Sequence, residues 1–207
     1  MPILHIFVCI HDLLMYQSPN IKLFHLYHSV TARSHFDLHS PFVYNLYSDV
    51  LKDKRKHPEY YQPDQRYDRL KYKKYYHLLF RLSAWFKPSV IFFTGREGSP
   101  EQLYLQSGFP EGKISSEYEI PGKPFNMIFL DLQTLKEPAE KCFSRLQQHI
   151  TGDSVFILWS IKDPLALKKT WNLFQTLPGI TVTIDLFCVG LVFVNRNLSR
   201  EDFKIRF

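Results

Sequence analysis

Cysteine is scarce in this chain. Only Cys9, Cys142 and Cys188 occur, an odd number at wide spacing with no metal-type pair. That excludes a disulfide framework and points to a reducing compartment, so a cytoplasmic location is expected. Long apolar runs are lacking as well. No segment approaches the ~20 consecutive apolar residues that cross a bilayer, and no membrane role is expected. The opening stretch MPILHIFVCIHDLLM is apolar, but it contains His5, His11 and Asp12. It has neither a basic leader nor a small-residue cleavage site, so it does not read as a signal peptide. Met15 offers a second translation start, and the choice between Met1 and Met15 stays open. Internal repeats and low-complexity segments are absent too.

What is present describes a packed protein. The chain has 207 residues, of which 45% are hydrophobic and 22% charged. That suits one domain, or one domain with an added arm, and argues against disorder. Aromatic residues reach 16%, with 18 Phe and 12 Tyr, enough to dominate a core. The net charge of +6 is unevenly placed. Residues 1–88 hold 13 Lys and Arg against 7 Asp and Glu, whereas residues 89–207 hold 13 of each. Two parts are therefore expected: an N-terminal helical arm over 1–88, packed on an α/β domain over 89–207.

The arm reads as helical. Ser40-Pro41 supplies a cap and a first turn, and Val43, Leu46, Tyr47, Val50 and Leu51 recur at helical spacing. The stretch from Lys52 to Tyr76 is basic and tyrosine-rich and is broken by Pro58 and Pro63. It leads into a helix with Tyr75, Leu79, Leu82 and Phe86 on one face and Pro88 as its stop.

The pattern changes at residue 89. SVIFFTG, NMIFLD and SVFILW are short apolar runs that read as buried strands. Ser99-Pro100 and Asp163-Pro164 each start a helix, the second with Leu167, Trp171 and Phe174 on one face. Ala139, Cys142, Phe143, Leu146 and Ile150 trace another helix. TVTIDLF and VGLVFVN, joined around Cys188 to Gly190, read as an antiparallel hairpin at one edge. Strand–helix alternation of this kind predicts an open, mainly parallel sheet covered on both faces.

Three segments together carry a family resemblance: HSPFVYNLY at His39–Tyr47, YHLLFRLSAWFKPSVIFF at Tyr76–Phe93, and the C-terminal TWNLFQTLPGITVTIDLFCVGLVFVNRNLSREDFKIRF. Over about residues 21–207 the chain resembles a Bacteroidetes-type group of class I S-adenosylmethionine-dependent methyltransferase-like proteins. The resemblance implies a bacterial protein with a Rossmann-like sheet of seven strands, the last antiparallel, and S-adenosylmethionine as the cofactor if any is bound. It places the cofactor turn after SVIFFTG, with Thr94, Gly95, Glu97 and Gly98 in the turn and Asp131 at the end of the fourth family strand.

The middle of the chain departs from that pattern. Phe92 takes the family's acidic position and Thr94 its first glycine. Only 32 residues lie between Gly98 and Asp131, so about one strand–helix unit is expected to be lost, with SSEYEI as the one strand left there. Glu117 and Glu119 are ribose-binding candidates by position alone, and surface residues on an edge strand otherwise. The run Phe156-Ile157-Leu158 reaches Trp159-Ser160 without the acidic pair that often precedes it. A lone Asp131 cannot assemble the oxygen ligands a metal needs, so no metal is expected.

Three functions stay open. The first is a degenerate methyltransferase-like domain, a pseudoenzyme acting through a small-molecule or protein partner. The second is an active methyltransferase with an altered cofactor pocket. The third is a basic nucleic-acid-binding module using the Lys52–Tyr76 stretch, where cations would meet phosphates and rings would meet bases. His35 and His39 lie close to Ser40, but no glycine-rich nucleophile turn follows, so Ser40 reads as a helix cap. No catalytic residue is assigned.

Overall fold

The computed structural model describes residues 19–32, 39–118, 122–160 and 163–207. Cys9, the start at Met1 or Met15, His35 and Glu119 lie outside them. Helix α1 spans Pro19–Thr31, and α2, Pro41–Leu46, runs on as a π turn over Tyr47–Leu51. After a 3-10 turn at Pro58–Tyr60 come α3, Tyr61–Arg66, and α4, Lys73–Phe86. The rest alternates: β1 Val90–Phe93, α5 Pro100–Gly108, β2 Lys113–Ser115, β3 Phe125–Asp131, α6 Ala139–Leu146, β4 Ile150–Trp159 and α7 Pro164–Phe174. Strands β5, Val182–Asp185, β6, Val189–Phe193, and β7, Glu201–Lys204, close the chain.

The seven strands form one sheet in the order β2-β1-β3-β4-β6-β5-β7. Strands β2, β1, β3 and β4 are parallel neighbours, and β6 runs antiparallel to both β4 and β5. This is the expected Rossmann-like α/β arrangement, mostly parallel with an antiparallel C-terminal hairpin. The hairpin does not form the sheet edge, however. Strand β7 adds outside β5, in parallel register from Val182↔Glu201 to Asp185↔Lys204. Two more boundaries differ from expectation. The strand before β3 is KIS at Lys113–Ser115, not SSEYEI, and Glu117 is exposed in the bend after it. Ile150 begins β4 instead of ending α6, because a 3-10 turn at Gln147–His149 intervenes.

The local chemistry explains the elements. Ser40 Oγ accepts from Val43 N at 3.5 Å and Ser99 Oγ from Gln102 N at 3.4 Å, so each serine satisfies an N–H group that its helix leaves free. Helix α4 ends at Lys87, whose φ of 46° breaks the helical path just before Pro88. Along the strands, side chains alternate between two cores. Ile91, Phe93, Met127, Phe129, Ile157 and Trp159 face α2, α4 and α5. Val90, Phe92, Ile128, Leu130, Phe156 and Leu158 face α6 and α7. Cys142 and Cys188 are buried. No helix among the described residues is long and apolar enough to cross a membrane.

Candidate functional site at the carboxyl end of the sheet

The chain leaves β1 for β2 on one side and returns to β3 on the other. The crevice between the carboxyl ends of β1 and β3 is therefore the topological switch point, where ligands bind in open α/β sheets. The five residues singled out from sequence lie around it but have unlike surroundings. Thr94 ties the two strand ends together. Its N–H donates to Phe129 O at 3.1 Å, its Oγ1 accepts from Asp131 N at 2.9 Å, and its carbonyl accepts from Thr134 Oγ1 at 2.9 Å. Asp131 is thus brought against Thr94, and its carboxylate accepts from Gln133 N at 3.0 Å. Gly98 has φ +70° and open space on its Cβ side. Its N–H donates to Gln102 Oε1 and its carbonyl accepts from the Tyr67 hydroxyl, each at 2.6 Å. Glu97 is exposed.

Gly95 is closely packed. A Cβ on it would meet the Phe93 ring at 2.5 Å. A glycine at such a turn normally leaves room for a ligand to approach the backbone; here that room is taken by a side chain two residues upstream. Phe93 stacks on Phe129, with ring centroids 4.9 Å apart and planes inclined by 22°. The series continues from Phe129 to Trp159 at 5.6 Å, from Trp159 to Tyr76 at 5.4 Å, and from Tyr76 to Tyr104 at 5.7 Å. Five aromatic rings thus form a buried series on the sheet face covered by α4 and α5. Phe92, at the position an acid would take, faces the opposite core and packs on Tyr118 and Phe125 at 4.8 and 5.4 Å.

Beside the ring series lies a polar cluster that sequence reading missed. Asp64 of α3 accepts hydrogen bonds from the Tyr104 hydroxyl of α5 and from His77 Nε2 of α4, the latter at 3.0 Å. Lys73 Nζ lies 3.5 Å from the same carboxylate, and Tyr60 stacks on the His77 ring at 3.9 Å. No local signal marks the group, because tertiary packing of three helices assembles it. Burial opposes ionisation of Asp64, but the bonds from Tyr104 and His77 and the charges of His77 and Lys73 outweigh it and hold the carboxyl below its ordinary range. Burial lowers His77 and outweighs the pull of Asp64. At neutral pH the contact is therefore a neutral imidazole donating to a carboxylate, not an ion pair. Burial pushes the Tyr104 hydroxyl far up, and the Asp64 bond adds to that.

Both shifts on the Asp64–His77 contact are downward, so the folded state binds fewer protons than the unfolded chain, and stability must fall on acidification. The loss begins as pH drops below the ordinary histidine value of 6.5, through His77, and resumes below 3.8, through Asp64. Urea unfolding at pH 8 and pH 5 should show wild type losing stability, and His77→Gln should lose less over the same interval. Identical losses in the two proteins would remove His77 from this account.

The basic stretch is partly committed to structure. Lys73 is engaged by Asp64, and Lys74 Nζ donates to Phe207 O at 3.0 Å. Tyr75 and Tyr76 are buried. Exchanging Lys73 or Lys74 would remove these contacts, whereas Lys71 is exposed. His39 is exposed next to the capping Ser40.

No family model and no curated protein matches the chain. Solved structures do. The chain is similar to cofactor-bound Rv0187 from MTB, at 13% identity and a TM-score of 0.49, over 77% of this chain and 99% of that one. A methyltransferase from Geobacter sulfurreducens matches at 9% identity and a TM-score of 0.49, over 75% and 98% of the two chains. The O-methyltransferase TomG from Streptomyces achromogenes, solved in complex with SAM, matches at 13% identity and a TM-score of 0.45, over 73% and 96%.

Proposed function

We propose that the chain is a degenerate class I methyltransferase-like domain that no longer transfers methyl groups and works as an interaction or regulatory domain. The single observation behind this reading is the ring of Phe93 lying where Gly95 would otherwise leave room for a ligand. Supporting it are the apolar Phe92, buried on the wrong face to supply a carboxylate, and the short link between β1 and β3, which carries one strand among the described residues. The same reading treats residues 1–88 as an arm packed on the 89–207 domain, in keeping with the core that α2 and α4 share with the strands.

A second reading, an active methyltransferase with an altered pocket, has one observation in its favour. Gly98 is open on its Cβ side and the neighbouring Glu97 carboxylate is exposed. Calorimetric titration of the full chain with S-adenosylmethionine separates the two. The first reading expects no heat of binding, and stoichiometric binding at micromolar concentration would replace it with the second.

A further inference from the structure

The other end of the sheet holds an aromatic box. Helix α4 ends there with Trp85 and Phe86, α2 brings Phe42, and β6 ends there at Phe193. These four rings border a cavity of about 340 Å³, with Asn126, Gly152, Asp153 and Asn195 completing its wall. Phe42 meets Phe193 at 5.0 Å with planes at 80°, Trp85 meets Phe86 at 4.6 Å and 80°, and Phe42 meets Trp85 at 6.1 Å and 62°. The rings therefore stand as walls in different directions around one space instead of lying in a flat stack. Phe42, Trp85 and Phe86 are each only half-buried, so ring surface remains open to the cavity. Asp153 is exposed and is the one ionisable side chain in the wall. It has no ion-pair partner among the described residues; it also lines the adjoining larger cavity, where Arg196 is a second wall residue.

Aromatic faces are negative and attract cations, and a carboxylate at the rim adds to that attraction. A bare ammonium is strongly hydrated and resists entering such a box. A methylated ammonium spreads its charge over apolar methyl groups and loses little by leaving water. From this geometry we infer a binding site for a methylated ammonium group between α2, the carboxyl end of α4 and the amino ends of β3 and β4. The site is at the opposite end of the sheet from the cofactor crevice, so it does not depend on whether methyl transfer survives.

Choline is the probe, and 3,3-dimethyl-1-butanol, its uncharged carbon isostere, is the control. Binding to the full chain is followed by the NMR shift of the Trp85 indole N–H, assigned with a Trp85→Phe variant. Choline should saturate that shift and bind about tenfold or more tightly than the isostere, the margin expected when rings and a carboxylate both see the charge. Asp153→Asn, at an exposed position that leaves the fold intact, should weaken choline several-fold and leave the isostere unchanged. Equal binding of the two probes would reduce the box to an apolar cavity and overturn the inference. So would the absence of a saturable Trp85 shift with millimolar choline.

Discussion

Replacing Phe129 with alanine should lower the free energy of unfolding by about 3–5 kcal/mol, the range found for truncating a buried aromatic ring. Phe129 lies in β3, between β1 and β4, and is fully buried. Its ring is held between Phe93 at 4.9 Å and Trp159 at 5.6 Å. Removing it takes apolar area from the core and also leaves a void that strands fixed in register cannot collapse to fill. The backbone has little freedom to help, because β3 is bonded to Ile91–Phe93 on one side and to Val155–Trp159 on the other. A domain of this size is stable by only about 5–15 kcal/mol, so the variant should unfold at a much lower urea concentration with a similar slope. Leu23→Ala, at a position 69% exposed, is the matched control and should change stability by less than about 0.5 kcal/mol. A Phe129→Ala loss as small as the control's would mean that the ring series does not hold the strands together.

How much of this could be read in advance varied with how local each signal is. The strands VIFF, NMIFLD and SVFILW were legible because buried parallel strands leave unbroken apolar runs. The caps at Ser40 and Ser99 were legible because one side chain and the next proline carry the whole signal. Strand β7 was not. Its EDFK sequence has three charged residues and one buried position, Phe203, and an edge strand needs no more than that. The insertion of β6 between β4 and β5 was not legible either, since partner choice in a sheet is a tertiary event. Thr94 and Asp131 were expected near one site, and they meet through a hydrogen bond. What no reading of the turn could reveal is the direction of the Phe93 ring. A phenylalanine ending a strand is ordinary core, and only the folded chain places its ring against Gly95. The Asp64–His77–Tyr104 cluster stayed hidden because 13 and 40 positions separate its members in sequence.

The same contrast between local rule and tertiary contact sets the expected result at Gly108. This residue ends α5 and has no left-handed backbone requirement. By helix propensity alone, Gly108→Ala should stabilise the protein by up to about 1 kcal/mol. The packing predicts the reverse. A Cβ built there would lie 2.3 Å from the carbonyl oxygen of Phe80 and 2.9 Å from Cβ of Ser83. Both atoms belong to α4, and neither can swing away as a flexible side-chain end could. Relief requires α4 and α5 to separate, which would strain the Asp64–Tyr104 contact and the Tyr76–Tyr104 pair that join the same helices to their surroundings. Overpacking of this kind costs about 1–3 kcal/mol, and more where backbone must move. The clash therefore outweighs the propensity gain, and a net loss of about 2 kcal/mol is expected. Gly152→Ala provides the comparison, because nothing lies within 4 Å of a Cβ at that position. Denaturant midpoints should fall clearly for Gly108→Ala and hardly move for Gly152→Ala. A stabilised Gly108→Ala protein would show that α4 and α5 are not packed as closely as the backbone contact requires.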